Sequence, residues 1–162
     1  MRDVVNRAVK PRTRGTGVGL ALLLNAKKPL RAKVMVSHAW DETYYEFVKA
    51  LVDSGNTGPF WVCALSIYQN EDLPGVTISD QLGPDPHYGP FATVLRQAEL
   101  MIAIVTNACN IYSRMWCVFE MYIALNLKIE VRVATYAESE ARSRGQFDGY
   151  AVLSKNPLFD QC

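Results

Sequence analysis

The stretch LMIAIVT at residues 100–106 decides the fold class, because it is apolar almost throughout. Such a run is typical of a strand in a parallel sheet that is covered on both faces. We therefore predict a central strand over these residues. A short helix is predicted before it, from Pro90 to Glu99, because proline suits the first helical turn and Phe91, Val94 and Leu95 follow at helical spacing.

Two further apolar runs lie upstream. Lys33 to Ala39 (KVMVSHA) predicts a first strand, and Pro59 to Ser66 (PFWVCALS) predicts a second, because both are short and rich in β-formers. Between them we predict a helix that Asp41 caps and that Gly55 ends. The segment from residue 67 to residue 89 holds six Pro and Gly residues, which predicts a long loop without a long regular element.

The pattern of strand and helix continues downstream. Ser113 is predicted to cap a helix that runs to about Leu125, and the alternating stretch KIEVRVA at residues 128–134 predicts a fourth strand near an edge. GYAVLS at residues 149–154 predicts a fifth strand. No convincing helix follows it, so the chain is predicted to be either a fragment or a domain truncated at its C-terminus.

Strands that alternate with helices predict an α/β fold with parallel strands joined by right-handed crossovers. The expected architecture is a flavodoxin-like doubly wound parallel sheet of order 2-1-3-4-5, with helices on both faces. In this order, ligands bind beyond the carboxyl ends of strands one and three. Those ends are the segment Ser37-His38-Ala39-Trp40 and the residues that lead to Asn107.

Charge divides the chain into two parts. Residues 1–33 hold nine of the 17 Lys and Arg residues and one of the 16 Asp and Glu residues, so the remainder carries a net charge of about −7. We interpret residues 1–32 as a basic N-terminal segment or linker and residues 33–162 as the domain. A cleaved targeting segment is an alternative for the basic part. Its apolar run at residues 15–26 is too short to span a membrane.

The same composition argues against several classes of function. An acidic domain offers no clustered basic face for nucleic acid. The four cysteines show neither CxxC pairs nor the dense spacing of a disulfide framework, and with the two histidines they lack the spacing of a zinc site. We expect reduced thiols in a cytoplasmic protein without a bound metal.

The predicted helix after strand three carries the strongest candidate for chemistry. Ser113, Trp116, Cys117 and Glu120 follow each other in steps of three and four, so they share one face of the helix beside the expected ligand crevice. A carboxylate beside tryptophan and cysteine is partly desolvated, which suits a base or a strong hydrogen-bond acceptor. The alternative is a surface glutamate in the middle of a helix.

Two segments resemble the Toll/interleukin-1 receptor (TIR) domain family. VMVSHAW at residues 34–40 is similar to its first strand, and SRMWCVFEM at residues 113–121 resembles its S-x-x-W-C-x-x-E-L motif. The resemblance spans about a hundred residues and implies that residues 33–162 form a TIR-like domain. Some TIR domains are assembly modules, whereas others cleave NAD+ at the nicotinamide–ribose bond. In the enzymes, the glutamate that corresponds to Glu120 is catalytic.

The resemblance therefore implies an NAD+ nucleosidase that releases nicotinamide and either linear or cyclic ADP-ribose, and that signals by self-association. NAD+ would be its substrate, and no cofactor is expected. A non-catalytic TIR scaffold and an enzyme similar to nucleoside deoxyribosyltransferases remain as alternatives. The residues expected to bind the substrate beside Glu120 are Ser37, His38, Ala39, Trp40, Ser66, Asn107, Ser113, Trp116 and Cys117.

Overall fold

A computed structural model describes residues 1–70, 74–107 and 111–137 of the chain. These residues form one sheet of four parallel strands in the order β2-β1-β3-β4. The strands are β1 Val34–Ser37, β2 Phe60–Val62, β3 Leu100–Val105 and β4 Glu130–Thr135. The predicted α/β class with a parallel sheet is confirmed, and the observed order is 2-1-3-4. The predicted fifth strand at residues 149–154 lies outside the described residues.

The helices include several short turns and two longer segments that follow β1 and β3. They are α1 Arg2–Val4, a π-helical turn Val5–Val9, α2 Lys10–Thr13, α3 Leu20–Leu24, α4 Tyr44–Asp53, α5 Cys63–Ser66, α6 Ile78–Leu82, α7 Pro90–Leu95, a 3-10 turn Ile111–Ser113 and α8 Met115–Asn126. The predicted long loop at residues 67–89 thus contains one short helix. Its N-terminus is closed by a capping box in which Thr77 and Asp80 exchange hydrogen bonds.

Each face of the sheet carries its own layer of helices, because successive side chains of a strand point to opposite faces. On β1, Val36 belongs to a cluster with Phe47 of α4 and Val5 of the N-terminal segment. Its neighbour Met35 belongs to a second cluster, with α7 and with Met121 of α8. The expected arrangement, with helices on both faces, is present.

The register brings three strand ends to one edge. Val36 of β1 pairs with Val62 of β2 on one side and with Ile102 of β3 on the other. The residues that follow β1 and β2 therefore emerge beside each other at the carboxyl edge.

Two helix caps differ from the prediction. Thr43, not Asp41, caps α4, since its hydroxyl accepts a hydrogen bond from the backbone N–H of Glu46 at 3.2 Å. Ser113 ends the 3-10 turn instead of capping α8, whose N-cap position is Arg114 without a side-chain cap. In both cases the predicted cap residue lies one or two positions before the actual N-cap position.

The second strand is shorter than predicted. Backbone pairing ends at Val62, and Cys63 begins a single helical turn, α5. The apolar run PFWVCALS continues across this change, because a buried turn needs apolar side chains as much as a buried strand does.

Part of the basic N-terminal segment packs in the same core cluster as the sheet. Met1, Val5 and Val9 are at most 4% exposed and lie in the cluster that also holds Val36 of β1. Val5 and Val9 are four residues apart, so they form an apolar stripe on one helical face, and the basic side chains around them hide this pattern in the composition.

Gly19 allows this segment to approach the sheet. A side chain at this position would bring its Cβ within 2.2 Å of the backbone oxygen of Ser66, so only glycine fits between α3 and α5. Nowhere in the described part of the chain is a helix both long enough and apolar enough to cross a lipid bilayer.

Candidate active site

A pocket opens at the carboxyl edge of the sheet, where β1 and β2 end and α8 starts. It encloses about 150 Å3. A cavity of this volume holds a single six-membered ring, whereas a drug-sized ligand occupies roughly 300–1,000 Å3. The lining residues are His38, Trp40, Cys63, Ile67, Gln69, Ile78, Leu82, Phe91, Arg114, Trp116, Cys117 and Glu120.

Glu120 lines this pocket from the middle of α8 and is 4% exposed. Its Oε2 atom is buried and has no hydrogen-bond partner among the described residues. Burial disfavours the charged carboxylate and raises the pKa of Glu120 to about 7, while the Ser37 hydroxyl and the charge of His38 oppose this shift. A carboxyl group with this pKa changes its charge near neutral pH, which suits a catalytic role.

His38 also lines the pocket, and both of its ring nitrogens have partners. Its Nδ1 is 2.7 Å from Oε1 of Glu42, and its Nε2 is 3.4 Å from Sγ of Cys63. Burial lowers the pKa of His38, but the hydrogen bonds with Cys63 and Glu42 outweigh it and raise the pKa to about 10. The ring of Phe47 packs against the imidazole with centroids 5.1 Å apart, so its orientation is constrained.

Two tryptophans bring flat surfaces to the pocket. Trp40 follows His38 and is half-buried, and Trp116 is 44% exposed at the start of α8. The ring of Trp116 stacks on Phe91 with centroids 5.3 Å apart and an interplanar angle of 24°. One side of Trp116 is thus supported by the protein, and its exposure leaves surface on which a ligand ring can stack.

Arg114 adds a positive charge to the pocket wall. Its Nη1 is 2.9 Å from Oδ2 of Asp41, while Oδ1 of the same carboxylate is 2.7 Å from Nε of Arg2. The hydrogen bond with Arg2 is the main cause that lowers the pKa of Asp41. The guanidinium of Arg114 therefore has a defined position near the pocket without being buried.

Cys117 is a buried thiol that also lines the pocket. Its Sγ donates a hydrogen bond to the backbone oxygen of His38 at 3.5 Å, which ties α8 to the end of β1. Burial, and then the negative charge of Glu120, raise the pKa of Cys117 to about 12. The thiol stays protonated, as expected of a packing residue.

The structure brings only part of the predicted site together. The predicted residues that line the pocket are His38, Trp40, Trp116, Cys117 and Glu120. Ser37 does not line the pocket but lies buried at the end of β1, where its hydroxyl partly offsets the rise in the pKa of Glu120 that burial causes.

The other predicted site residues do not line this pocket. Ala39 is 2% exposed and part of the core, and neither Asn107 nor Ser113 contributes to the pocket wall. Ser66 lines a separate cavity of about 600 Å3. It was assigned to the tip of a longer second strand, and because β2 ends at Val62, Ser66 lies a full helical turn away from that tip.

Other lining residues escaped the sequence analysis. Cys63 was treated only as one of four thiols, although its place directly after β2 was a usable signal, since a neighbouring parallel strand ends at the same edge. The segment at residues 67–89 contributes Gln69, Ile78 and Leu82. Its sequence has no periodicity that would predict which side chains contact the pocket. Arg114 lies within the TIR-like motif, at a position where the motif specifies no residue type.

Among the described residues, no group of three or more His, Cys, Asp or Glu side chains is placed to hold a metal ion. Comparison of the chain with models of protein families, with curated proteins and with solved structures finds no match. The interpretation of the pocket therefore depends on its own geometry and on the resemblance of the sequence motifs.

Proposed function

We propose that the chain is a TIR-type domain that cleaves NAD+ between nicotinamide and ribose, with Glu120 as the catalytic residue. The observation that carries this proposal is a buried carboxylate with an unpaired oxygen in a pocket that fits one ring. We further propose that the enzyme acts in the cytoplasm and signals by self-association.

The chemistry needs few protein groups. Nicotinamide leaves as a neutral molecule from a cationic ring, so no general acid is required, and the remaining ribosyl group resembles an oxocarbenium ion. Ionised Glu120 stabilises the positive charge that develops at the ribosyl carbon. The burial of Glu120 strengthens this interaction, because fixed charges act most strongly where solvent does not screen them. Attack by water then gives ADP-ribose, and internal attack by adenine gives a cyclic product.

The pocket suits one end of the dinucleotide. Its volume accommodates the nicotinamide ring, and Trp116 offers an exposed aromatic surface at its wall. Arg114 supplies a guanidinium that can pair with a phosphate oxygen, a charge-assisted contact of the strong kind. The pyrophosphate and the adenosine half would then lie outside the enclosed volume.

The direct test compares wild type with Glu120→Gln, which keeps the shape of the side chain and removes its charge. Nicotinamide release from NAD+ is expected to fall by at least about a hundredfold, since removal of one group that stabilises a transition-state charge typically has this effect. Glu99→Gln is the matched control, because Glu99 is exposed and lies before β3, away from the pocket. Retention of more than half of the wild-type rate in Glu120→Gln would remove Glu120 from its role.

A second candidate is a non-catalytic assembly module. The observation that favours it is a set of exposed apolar side chains on α8: Met115, Val118 and Tyr122 are 85%, 47% and 57% exposed. They are spaced by three and four residues, so they share one face of the helix. Exposed apolar patches of this kind mark contact surfaces.

Light scattering and NAD+ turnover on the same samples distinguish the two candidates. An assembly module predicts that Val118→Glu abolishes self-association and that assembled wild type releases no nicotinamide. Turnover of deoxynucleosides by wild type, without cleavage of NAD+, would instead indicate a deoxyribosyltransferase-like enzyme.

A further inference from the structure

Cys63, His38 and Glu42 form a connected row of three functional groups. The imidazole is placed between the thiol and the carboxylate, with Nε2 3.4 Å from Sγ and Nδ1 2.7 Å from Oε1. A nucleophile within hydrogen-bond reach of a base, with the base oriented by a third group, is the geometric signature of an activated nucleophile. The proposed NAD+ cleavage does not use Cys63 or Glu42.

The fold holds these groups rigidly. Val36 pairs with Val62 across the sheet, so His38 and Cys63 emerge from adjacent strand ends. The side chains of His38 and Glu42 are 0% and 1% exposed, which keeps water from competing for their hydrogen bond. Cys63 is only partly buried and lines the pocket, so a small molecule in the pocket can reach its sulfur.

A comparison with Cys117 shows how His38 and Glu42 change the chemical environment of Cys63. Cys117 lines the same pocket, but its sulfur donates to the backbone oxygen of His38 instead of facing an imidazole nitrogen, and burial, together with the charge of Glu120, raises its pKa. Two thiols of one pocket thus differ in chemical environment, and only Cys63 can pass its proton to an imidazole.

We propose that Cys63 is a covalent modification site for small hydroperoxides, activated by His38 and oriented through Glu42. The thiolate sulfur attacks one peroxide oxygen, an S–O bond forms and the O–O bond breaks. The leaving oxygen, hydroxide from hydrogen peroxide or alkoxide from an organic hydroperoxide, takes the proton from Nε2 of His38 and departs as water or as an alcohol. The sulfur is oxidised by two electrons to a sulfenic acid, and the peroxide is reduced.

The surroundings favour a hydroperoxide over an acyl substrate. Attack on a carbonyl creates an oxyanion that needs donors around it. The Gln69 amide already donates to the backbone oxygens of Cys63 and Ile67, and Glu120 brings a carboxyl group to the same pocket. Cleavage of a peroxide bond needs only one proton for the leaving oxygen, which His38 supplies.

Mapping of the oxidised cysteines in the full chain tests this proposal. The protein is treated with hydrogen peroxide in the presence of dimedone, which traps sulfenic acids, and each cysteine peptide is quantified by mass spectrometry. Cys63 is expected to be labelled at least tenfold faster than Cys117. Equal labelling of the two residues in wild type would overturn the proposal, and this comparison needs no variant that might fail to fold.

The pH dependence of alkylation by iodoacetamide gives a second, independent measurement. An ordinary thiol with a pKa of about 8.5 is only about 0.3% ionised at pH 6, so its rate there is far below its limiting rate. In the described part of the chain, the titratable and charged groups that face Cys63 and His38 include Glu42 from the turn before α4, Glu120 and Cys117 from α8, and Arg114 at its N-cap. We expect Cys63 to retain at pH 6 at least a tenfold advantage over an ordinary thiol. The rate profile of an ordinary thiol would contradict activation by His38.

Substitutions of His38 and Glu42 test the role of each residue in the activation of Cys63. His38→Asn is expected to slow labelling of Cys63 at pH 6 at least tenfold, and Glu42→Gln is expected to slow it less, because the imidazole remains. His87→Asn is the matched control, since His87 is exposed and does not line the pocket. A His38→Asn protein that labels at the wild-type rate would leave His38 without the proposed role.

Because the added oxygen lies within the pocket wall, oxidation should also block nicotinamide release, a consequence that rests on the proposed function. Labelling of Cys63 requires no NAD+, so the two proposals fail separately. Absence of NAD+ cleavage leaves the labelling test intact, and absence of labelling leaves the Glu120→Gln test intact.

Discussion

The cavity beside α3 and the pocket at the carboxyl edge of the sheet differ in size and in chemistry, and the smaller one, the pocket, is the better candidate site. The larger encloses about 600 Å3 between α3, α4 and β2, and no residue of its described wall has a charged side chain. The smaller encloses about 150 Å3, and its wall holds Glu120, His38, Cys63 and Arg114. Volume alone would favour the larger cavity as a ligand site. Buried polar groups without hydrogen-bond partners favour the smaller one.

The difference indicates that the wall of the larger cavity serves mainly stability and the wall of the smaller one serves mainly function. Apolar side chains around a cavity stabilise the fold through the area that they bury. A buried carboxyl with an unpaired oxygen does the opposite, since it loses water and gains no compensating hydrogen bond. A protein retains such a group where its chemistry is needed. Three predictions test this contrast.

The largest expected effect is a stabilisation by Glu120→Gln. In the folded chain the pKa of Glu120 is about 7, above its ordinary value of 4.5, so its contribution to stability is fully present below pH 4.5 and is lost as the pH rises to 7. Glutamine stays neutral throughout. The variant is therefore expected to gain up to about 3 kcal/mol in free energy of unfolding at about pH 8, relative to its difference from wild type at about pH 4.

Urea denaturation at the two pH values measures this gain, with Glu99→Gln as the control that changes stability by less than about 0.5 kcal/mol. A Glu120→Gln protein that is less stable than wild type at high pH would mean that the carboxylate is well stabilised in the fold. The contrast between the two cavities would then break down.

An intermediate effect is expected from Gly19→Ala, next to the larger cavity. The new Cβ would lie 2.2 Å from the backbone oxygen of Ser66, so α3 or α5 must move. We expect a loss of about 2 kcal/mol in free energy of unfolding, the usual size of an overpacking effect, and an unchanged rate of NAD+ cleavage per folded molecule. Thermal unfolding and nicotinamide release are the two measurements.

Gly58→Ala is the matched control for this region. Gly58 also lines the larger cavity, but its new Cβ would meet side-chain atoms instead of backbone, namely Cγ2 of Val34 at 3.3 Å and Cβ of Lys33 at 3.7 Å. Its stability should therefore stay within about 0.5 kcal/mol of wild type. A Gly19→Ala protein with normal stability but impaired cleavage would give the larger cavity a functional role.

The smallest effect is the pH dependence of NAD+ cleavage. The ionised form of Glu120 stabilises the ribosyl cation, so kcat/KM should rise with pH and level off above about 7, where the folded carboxyl is ionised. At pH 6 we expect kcat/KM to be about tenfold below its plateau, because about a tenth of the carboxyl groups are then ionised. A rate that falls across this range would indicate that the protonated form is active.

The sequence predicted the layers of the fold and the central carboxylate, because both depend on local patterns. Leu100 to Thr106 is apolar enough to identify a covered strand, and the steps between Trp116, Cys117 and Glu120 place them on one helical face. These inferences need only the geometry of a strand or a helix. The same geometry applies to Val5 and Val9, but the surrounding basic residues obscured their apolar stripe, and it was not predicted.

Contacts between distant segments were not predictable in this way. His38 and Cys63 are 25 residues apart, and their contact depends on the register of β1 with β2. Asp41 was assigned to a helix cap because an aspartate often has that role. Its use as a partner of Arg2 and Arg114 depends on residues 39 and 73 positions away.

The carboxylate of Asp41 couples the pocket wall, through Arg114, to the first helical turn, through Arg2. It binds Arg2 with one oxygen and Arg114 with the other, so both arginines share one counter-ion. An anion that attracts Arg114 toward the pocket weakens the ion pair of Arg114 with Asp41, so both carboxylate oxygens become available to Arg2. By thermodynamic reciprocity, a stronger ion pair between Arg2 and Asp41 favours binding of that anion to the same degree. Since these ion pairs are largely exposed, the coupling is weak, and it weakens further as salt is added.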